Sequence, residues 1–258
     1  MGEIYALVSA GGAPGVTTAA LALTLTWPSA AFVAECDPSG GDVLAGLLAG
    51  HVPASRGLVE HAIEAGRSRD AAAADLGDQF VPIDDSHTRF VLPGLTDPRQ
   101  AAGLALAWPA VAATFAGRPE VVIADCGRLD AGPGQPQAVL AAARVVALVL
   151  RPSLRQVWAA RARLSMLSAL TEAGRIVLLI TGPGPHPVGE VSHTLATPVA
   201  AVLPDDPRTA ALLSDGVGRQ RHLSASSLLR SARSAGQAIQ GAGHRSPVSE
   251  PAPAGAPR

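Results

Sequence analysis

Seven short stretches of this chain are apolar at almost every position: "IYALVS" (4–9), "AAFVAE" (30–35), "TRFVLPG" (88–94), "EVVIADC" (120–126), "RVVALVLR" (144–151), "RIVLLIT" (175–181) and "PVAAVLP" (198–204). Each is too short for an ordinary helix and lacks the alternation of a half-exposed strand. Continuous apolar runs of this length read as strands buried on both faces. Longer, helix-capable segments separate them, among them "VTTAALALTLTW" (16–27), "RGLVEHAIEAG" (56–66), and "DPRQAAGLALAWPAVAATF" (97–115) with Pro109 as a kink or break. "QPQAVLAAA", "LRQVWAARARLSMLSALTEAG" and "PVGEVSHTLA" follow in the same role, and "GDVLAGLLAG" (41–50) reads as a short helix. The pattern predicts an α/β, three-layer Rossmann-like fold with a mostly parallel central sheet and helices on both faces.

Composition narrows the partners. The 258 residues are 48% hydrophobic with a formal charge of -1, enough for one sizeable core and without a global pull toward nucleic acid. Direct nucleic-acid binding is therefore not expected. Residues Ile4 to Ala34 carry no charge, yet glycines and prolines divide them into strand, loop and helix. Glu3 precedes them without a basic flank, so a cytoplasmic chain is expected. Cys36 and Cys126 form no disulfide framework and read as reduced and half-buried. The seven histidines show no metal-ligand spacing, and Trp27, Trp108 and Trp158 are expected to pack against the sheet.

Between the first strand and the first helix lies "SAGGAPGVTT", Ser9 to Thr18. A glycine-rich loop there holds anions through backbone N–H groups and the helix N-terminus, and so requires little side-chain volume. Gly11, Gly12 and Gly15 meet that requirement, with Ala13 and Pro14 between them. Thr17 places a hydroxyl where a magnesium ion would sit, and Thr18 lies one residue further in. Val16 stands where an ammonium would grip phosphate. The helix end alone supplies roughly half a positive charge. Further charge would come from Arg128, Arg151 or Arg155, each after a strand candidate, or from a partner subunit.

Acidic strand ends support a nucleotide site. Glu35 and Asp37 close one run and Asp125 another, which in a parallel sheet puts them at the crevice beside the loop. Asp125 can accept from the Thr17 hydroxyl or a metal-bound water, and Asp37 can orient a water. Acids also end strands for ordinary capping reasons. A dinucleotide reading matches only the last two glycines of G-x-G-x-x-G, with Glu35 twenty residues beyond Gly15. The second acidic strand end and "GVTT" count against it.

The order of these motifs resembles the ParA/MinD family of deviant P-loop ATPases, whose loop reads K-G-G-x-G-K-T-T. Gly12, Gly15, Thr17 and Thr18 match it, while Gly11 and Val16 replace its two lysines and Ala13 a glycine. "ECDPSGGD" resembles the family's D-x-D-P-x-G segment with Asp37 and Pro38 intact, and "VVIADCG" its Walker B strand with Asp125. "VVALVLRPSLRQV" and "ATPVAAVLPDDPRTAALLSDG" resemble its later strands, the latter with Pro204 near the base. The resemblance implies a P-loop fold binding ATP or ADP with Mg2+. Gly11 to Thr18 would cradle phosphates, Thr17, Asp37 and Asp125 would hold the metal, and Asp37 would orient the attacking water. It also implies protein partners in a localisation or assembly system and a homodimer, though the missing lysines weaken both the ATP-sandwiched dimer and hydrolysis. Atypical loops of this kind resemble the localisation ATPases of Tad-type pili.

The expected organisation is a nucleotide domain over 1–221, a basic, weakly amphipathic helix over 222–240 and a disordered Pro/Ala/Gly-rich tail over 241–258. That helix packs on its own domain, meets a partner or, with few large apolar residues, touches the inner face of the cell membrane weakly. Two functions stay open: a nucleotide-binding localisation factor with weak or absent ATP hydrolysis, and a pseudo-ATPase that binds no nucleotide and serves as an interaction module.

Overall fold

The computed structural model describes residues 2–11, 15–51, 56–68, 77–132, 134–216, 223 and 226–244. Eight strands form one sheet: β1 (Ile4–Ser9), β2 (Ala31–Glu35), β3 (Val81–Pro82), β4 (Arg89–Leu92), β5 (Val121–Arg128), β6 (Val145–Leu150), β7 (Ile176–Thr181) and β8 (Val199–Leu203). Their order is β3-β4-β2-β5-β1-β6-β7-β8. All neighbours are parallel except β3 and β4. All seven anticipated runs are strands. The two-residue β3 lies in the brief, proline-broken run "FVPI" (80–83), and its Pro82 is tolerated because it lies on the sheet edge.

The helices are α1 (Val16–Thr26), α2 (Leu58–Arg67), α3 (Ala101–Leu104), α4 (Trp108–Gly117), α5 (Gln137–Ala142), α6 (Leu154–Leu170), α7 (Val188–Leu195), α8 (Pro207–Asp215) and α9 (Ser227–Gly243). Side chains alternate between two cores. Ala6, Val8, Ala124 and Leu148 face α2, α4, α5, α6 and α7 on one side; Tyr5, Leu7, Ile123 and Ala147 face α1, α8 and α9 on the other. The three layers are thus as expected. The break around Pro109 is real: α3 ends at Leu104, and the proline sits in the first turn of α4, where its missing N–H has no helical partner to lose.

Two expectations about helices fail. Residues 43–50 form consecutive turns, not a helix. Their backbone bonds run Gly46 N–H to Asp42, Leu48 N–H to Val43 and Gly50 N–H to Leu44, spacings that no single helix type shares. Gly46 fits there because a Cβ would fall 1.8 Å from the Ser214 carbonyl oxygen of α8. The basic helix begins at Ser227 and runs to Gly243, so it is shifted from 222–240. Its Leu228, Ala232, Ala235, Ile239 and Ala242 are buried in the α1 core, and Gly236 brings the helix against the Trp27 ring. The apolar face that membrane contact would need is therefore already used within the domain. The 241–258 tail call lies mostly outside the described residues. No described helix is long and apolar enough to cross a membrane.

Candidate functional site

The carboxyl ends of β1, β2, β5, β6, β7 and β8 converge at one edge of the sheet, and α1 starts there. Gly15 precedes α1 with φ +87°, and no side chain caps the helix; its first turn also holds no acid. The leading N–H groups of α1 are thus left without a side-chain acceptor. Gly12, Ala13 and Pro14 lie outside the described residues, so the loop is described at Gly11 and from Gly15 onward. Val16 is buried in the α1 core and brings no charge to the site. A Cβ on Gly11 would meet Ala159 of α6 at 3.8 Å, which puts the loop against that helix.

Asp125 is buried on β5, where its Oδ1 accepts from the Gly127 amide at 3.0 Å. The Thr17 hydroxyl also donates to this carboxylate. Burial pushes the Asp125 pKa up to about 6, partly offset by those two donors, with Asp37 and Asp42 adding repulsion. Asp37 reaches the same place from the loop after β2 and accepts from the Ser39 amide at 2.7 Å. Its carboxylate lies over the backbone of Gly127, whose φ is +58°; a Cβ there would fall 1.8 Å from Asp37 Oδ2. The structure therefore brings Thr17, Asp37 and Asp125 together.

Glu35 is a different kind of acid. It is paired in register with Asp125 but buried, accepting from the Val43 amide at 3.1 Å and the Gly94 amide at 3.0 Å. Burial raises its pKa to about 7 despite these donors. It ties the loop after β2 to the loop after β4, a support for the site. On the opposite face of the sheet Cys36 and Cys126 are fully buried, against the half-buried expectation, and their thiols hydrogen-bond, raising the Cys126 pKa.

Beside the start of α1 lies an open cavity of about 220 Å3, bordered by Gly15, Thr18, Arg151, Thr181, Pro204 and Asp205 among others. Of the three arginines named as sources of charge, Arg151 lines this cavity; Arg128 and Arg155 do not. The two acids of "PDDP" divide. Asp206 caps α8 through the Thr209 amide at 3.2 Å and accepts from the Ser226 and Ser227 hydroxyls, each at 3.1 Å, at the start of α9. Burial would raise its pKa, but the bonds from Thr209, Leu228 and Ser226 outweigh that and hold it at about 2. Asp205 faces the cavity instead. Arg151 is among the sources of charge expected from sequence; Thr181 is not assigned to the site there, and its place at the end of β7 is the available signal.

The expectation that every tryptophan packs against the sheet fails at Trp158. With Leu154 one turn earlier it stands out from α6, 72% and 69% exposed respectively. Among the described residues no cluster of three or more His, Cys, Asp or Glu side chains could hold a metal by itself.

No protein-family model matches the chain, and no curated protein matches it. Solved structures do match in fold. The MinD cell division protein of Aquifex aeolicus superposes with a TM-score of 0.69 at 12% identity, over 93% of this chain and 97% of that one. The septum site-determining protein MinD of Pyrococcus horikoshii, complexed with Mg-ADP, gives 0.69 at 17% identity over 93% and 96%. A plasmid partition protein of Borrelia burgdorferi bound to AMPPNP gives 0.70 at 10% over 93% and 99%. The chain thus has the fold of ParA/MinD-type P-loop ATPases over nearly its whole length.

Proposed function

We propose that this chain is a nucleotide-binding localisation or assembly factor of the ParA/MinD type, taking ATP or ADP with Mg2+ and hydrolysing ATP weakly or not at all. One observation carries the reading: the N-terminus of α1, which no side chain caps, opens beside a cavity, and Thr17 in its first turn bonds to Asp125. Two structures of the same fold, from Pyrococcus horikoshii and Borrelia burgdorferi, hold Mg-ADP and AMPPNP, which supports it.

The residues present fit a magnesium ion that keeps most of its ligands as water and phosphate. Mg2+ binds through one or two protein groups, not an all-protein cage. Thr17 would offer its hydroxyl, and Asp125 and Asp37 would orient the metal-bound waters; the ion itself would neutralise phosphate charge. Gly11 to Thr18 would cradle the phosphates through backbone amides, with Pro204 against the base and Asp37 beside the attacking water. Gly11 and the buried Val16 supply no cation, so transition-state charge is poorly neutralised and turnover is slow or absent. A lysine-dependent sandwiched dimer is not expected for the same reason.

Isothermal titration of the purified chain with Mg-ADP and with AMPPNP tests the reading. Saturable binding that Asp125→Asn weakens in magnesium but not in EDTA supports it. No heat up to millimolar nucleotide would sink it.

A second reading, a pseudo-ATPase used as an interaction module, is favoured by Leu154 and Trp158 standing out from α6 beside the loop. An exposed aromatic anchor is typical of a protein contact. On either reading the chain would act in the cytoplasm or at the inner face of the cell membrane, and its atypical loop is similar to those of the localisation ATPases of Tad-type pili.

A further inference from the structure

We infer that Arg151 supplies the positive charge that the glycine-rich loop lacks, meeting a phosphate group of a nucleotide held at the start of α1. The inference rests on the nucleotide reading above and adds a residue from another strand to it. Arg151 follows β6 and borders the same cavity as Gly15 and Thr18, the described residues at and just inside the N-terminus of α1. A long side chain on that wall therefore faces the space into which the helix amides open.

The guanidinium is free to exchange partners. Among the described residues its one acidic contact is Asp205 Oδ1 at 3.7 Å, and the two side chains are 45% and 52% exposed. A pair that long and that wet is screened and worth little. Asp205 is a weak holder, unlike Asp206, which is committed to capping α8 and α9. A guanidinium presents planar N–H donors that match phosphate oxygens two at a time, and such charge-assisted bonds are among the strongest a protein makes.

Space for this arrangement is reserved at Gly182, at the end of β7. A Cβ there would lie 3.2 Å from Arg151 Nη1, and the residue's φ of +63° disfavours any other side chain. Gly182 thus leaves room for the Arg151 guanidinium. With Val16 uncharged, the cation of this site stands at the β6 end and not in the loop.

Calorimetric titration of the full chain with Mg-ADP and with adenosine, for wild type, Arg151→Ala, Arg151→Lys and Asp205→Ala, tests this. The wild type should bind ADP more tightly than adenosine. Arg151→Ala should weaken ADP by about tenfold or more while leaving adenosine unchanged. Arg151→Lys should recover part of the loss, and Asp205→Ala should keep or tighten ADP binding. Equal weakening of ADP and adenosine by Arg151→Ala, or an effect on neither, overturns the inference and leaves the nucleotide reading standing. An Asp205→Ala loss as large as that of Arg151→Ala overturns it too, since the pair would then act as a structural unit. A wild type that binds neither ligand overturns the nucleotide reading itself. Far-ultraviolet dichroism of each variant shows that the fold is intact, as expected for two half-exposed positions.

Discussion

At the scale of single residues the site is organised by two acids with opposite duties. Asp125 and Glu35 are register partners on β5 and β2, both buried and both with raised pKa values, to about 6 and about 7. A carboxyl whose pKa is higher folded than unfolded holds its proton more tightly in the native state, so stability falls as pH rises from the unfolded pKa through the folded one. Urea midpoints should therefore decline between about pH 4 and pH 7 and then level off. Asp125→Asn should flatten the lower part of that decline. Glu35→Gln should not simply relieve the strain. One of its oxygens would become an NH2 facing the Val43 or Gly94 amide, at a cost of about 1–3 kcal/mol. Gly127→Ala should displace Asp37, which a Cβ would meet at 1.8 Å. Its expected signature is lost magnesium dependence of nucleotide binding, with a lower melting temperature. Asp125 and Asp37 were legible in the sequence because strand-end acids stand out in an apolar chain. That Glu35 is a brace was not, because its partners Val43 and Gly94 offer only backbone amides, which no sequence pattern marks.

At the scale of elements, periodicity gave the strands and most helices, and close packing decided the exceptions. Residues 43–50 have helix-compatible apolar spacing, but two glycines and the approach of α8 to Gly46 leave a series of turns. In α9 the alanine-rich face reads as weak for a membrane because it is shaped for another helix: Gly236 lets Trp27 approach to 3.2 Å of a would-be Cβ. Ile239→Ala should lower stability by about 2–4 kcal/mol in urea titration, as for a core residue and unlike a surface one. Sedimentation with anionic phospholipid vesicles should show no binding through this face. In α6, Trp158 escaped the expectation of packing because Val157 and Ala160 face the sheet in its place. The apolar positions of a helix can be counted from sequence, but which of them are left over depends on how much of the face the sheet covers.

The whole molecule joins these scales. Continuous apolar runs forced a parallel sheet, a parallel sheet gathered its carboxyl ends, and the gathered ends put the start of α1, Pro204 and Arg151 around one cavity, with Asp125 at the end of β5 bonded to Thr17 of α1. The fold was therefore legible almost entirely, apart from the proline-bearing edge strand β3. The site was legible only in part: Arg151 stood among three candidate cations, and only its place on the cavity beside α1 and against Gly182 selects it. A loop without its lysines is proposed to serve a nucleotide still, through helix amides and Asp125-supported magnesium. Calorimetric titration of the full chain with Mg-ADP should show one saturable site, weakened by EDTA and by Asp125→Asn; a flat titration to millimolar ADP in magnesium would mean that the loop holds no nucleotide.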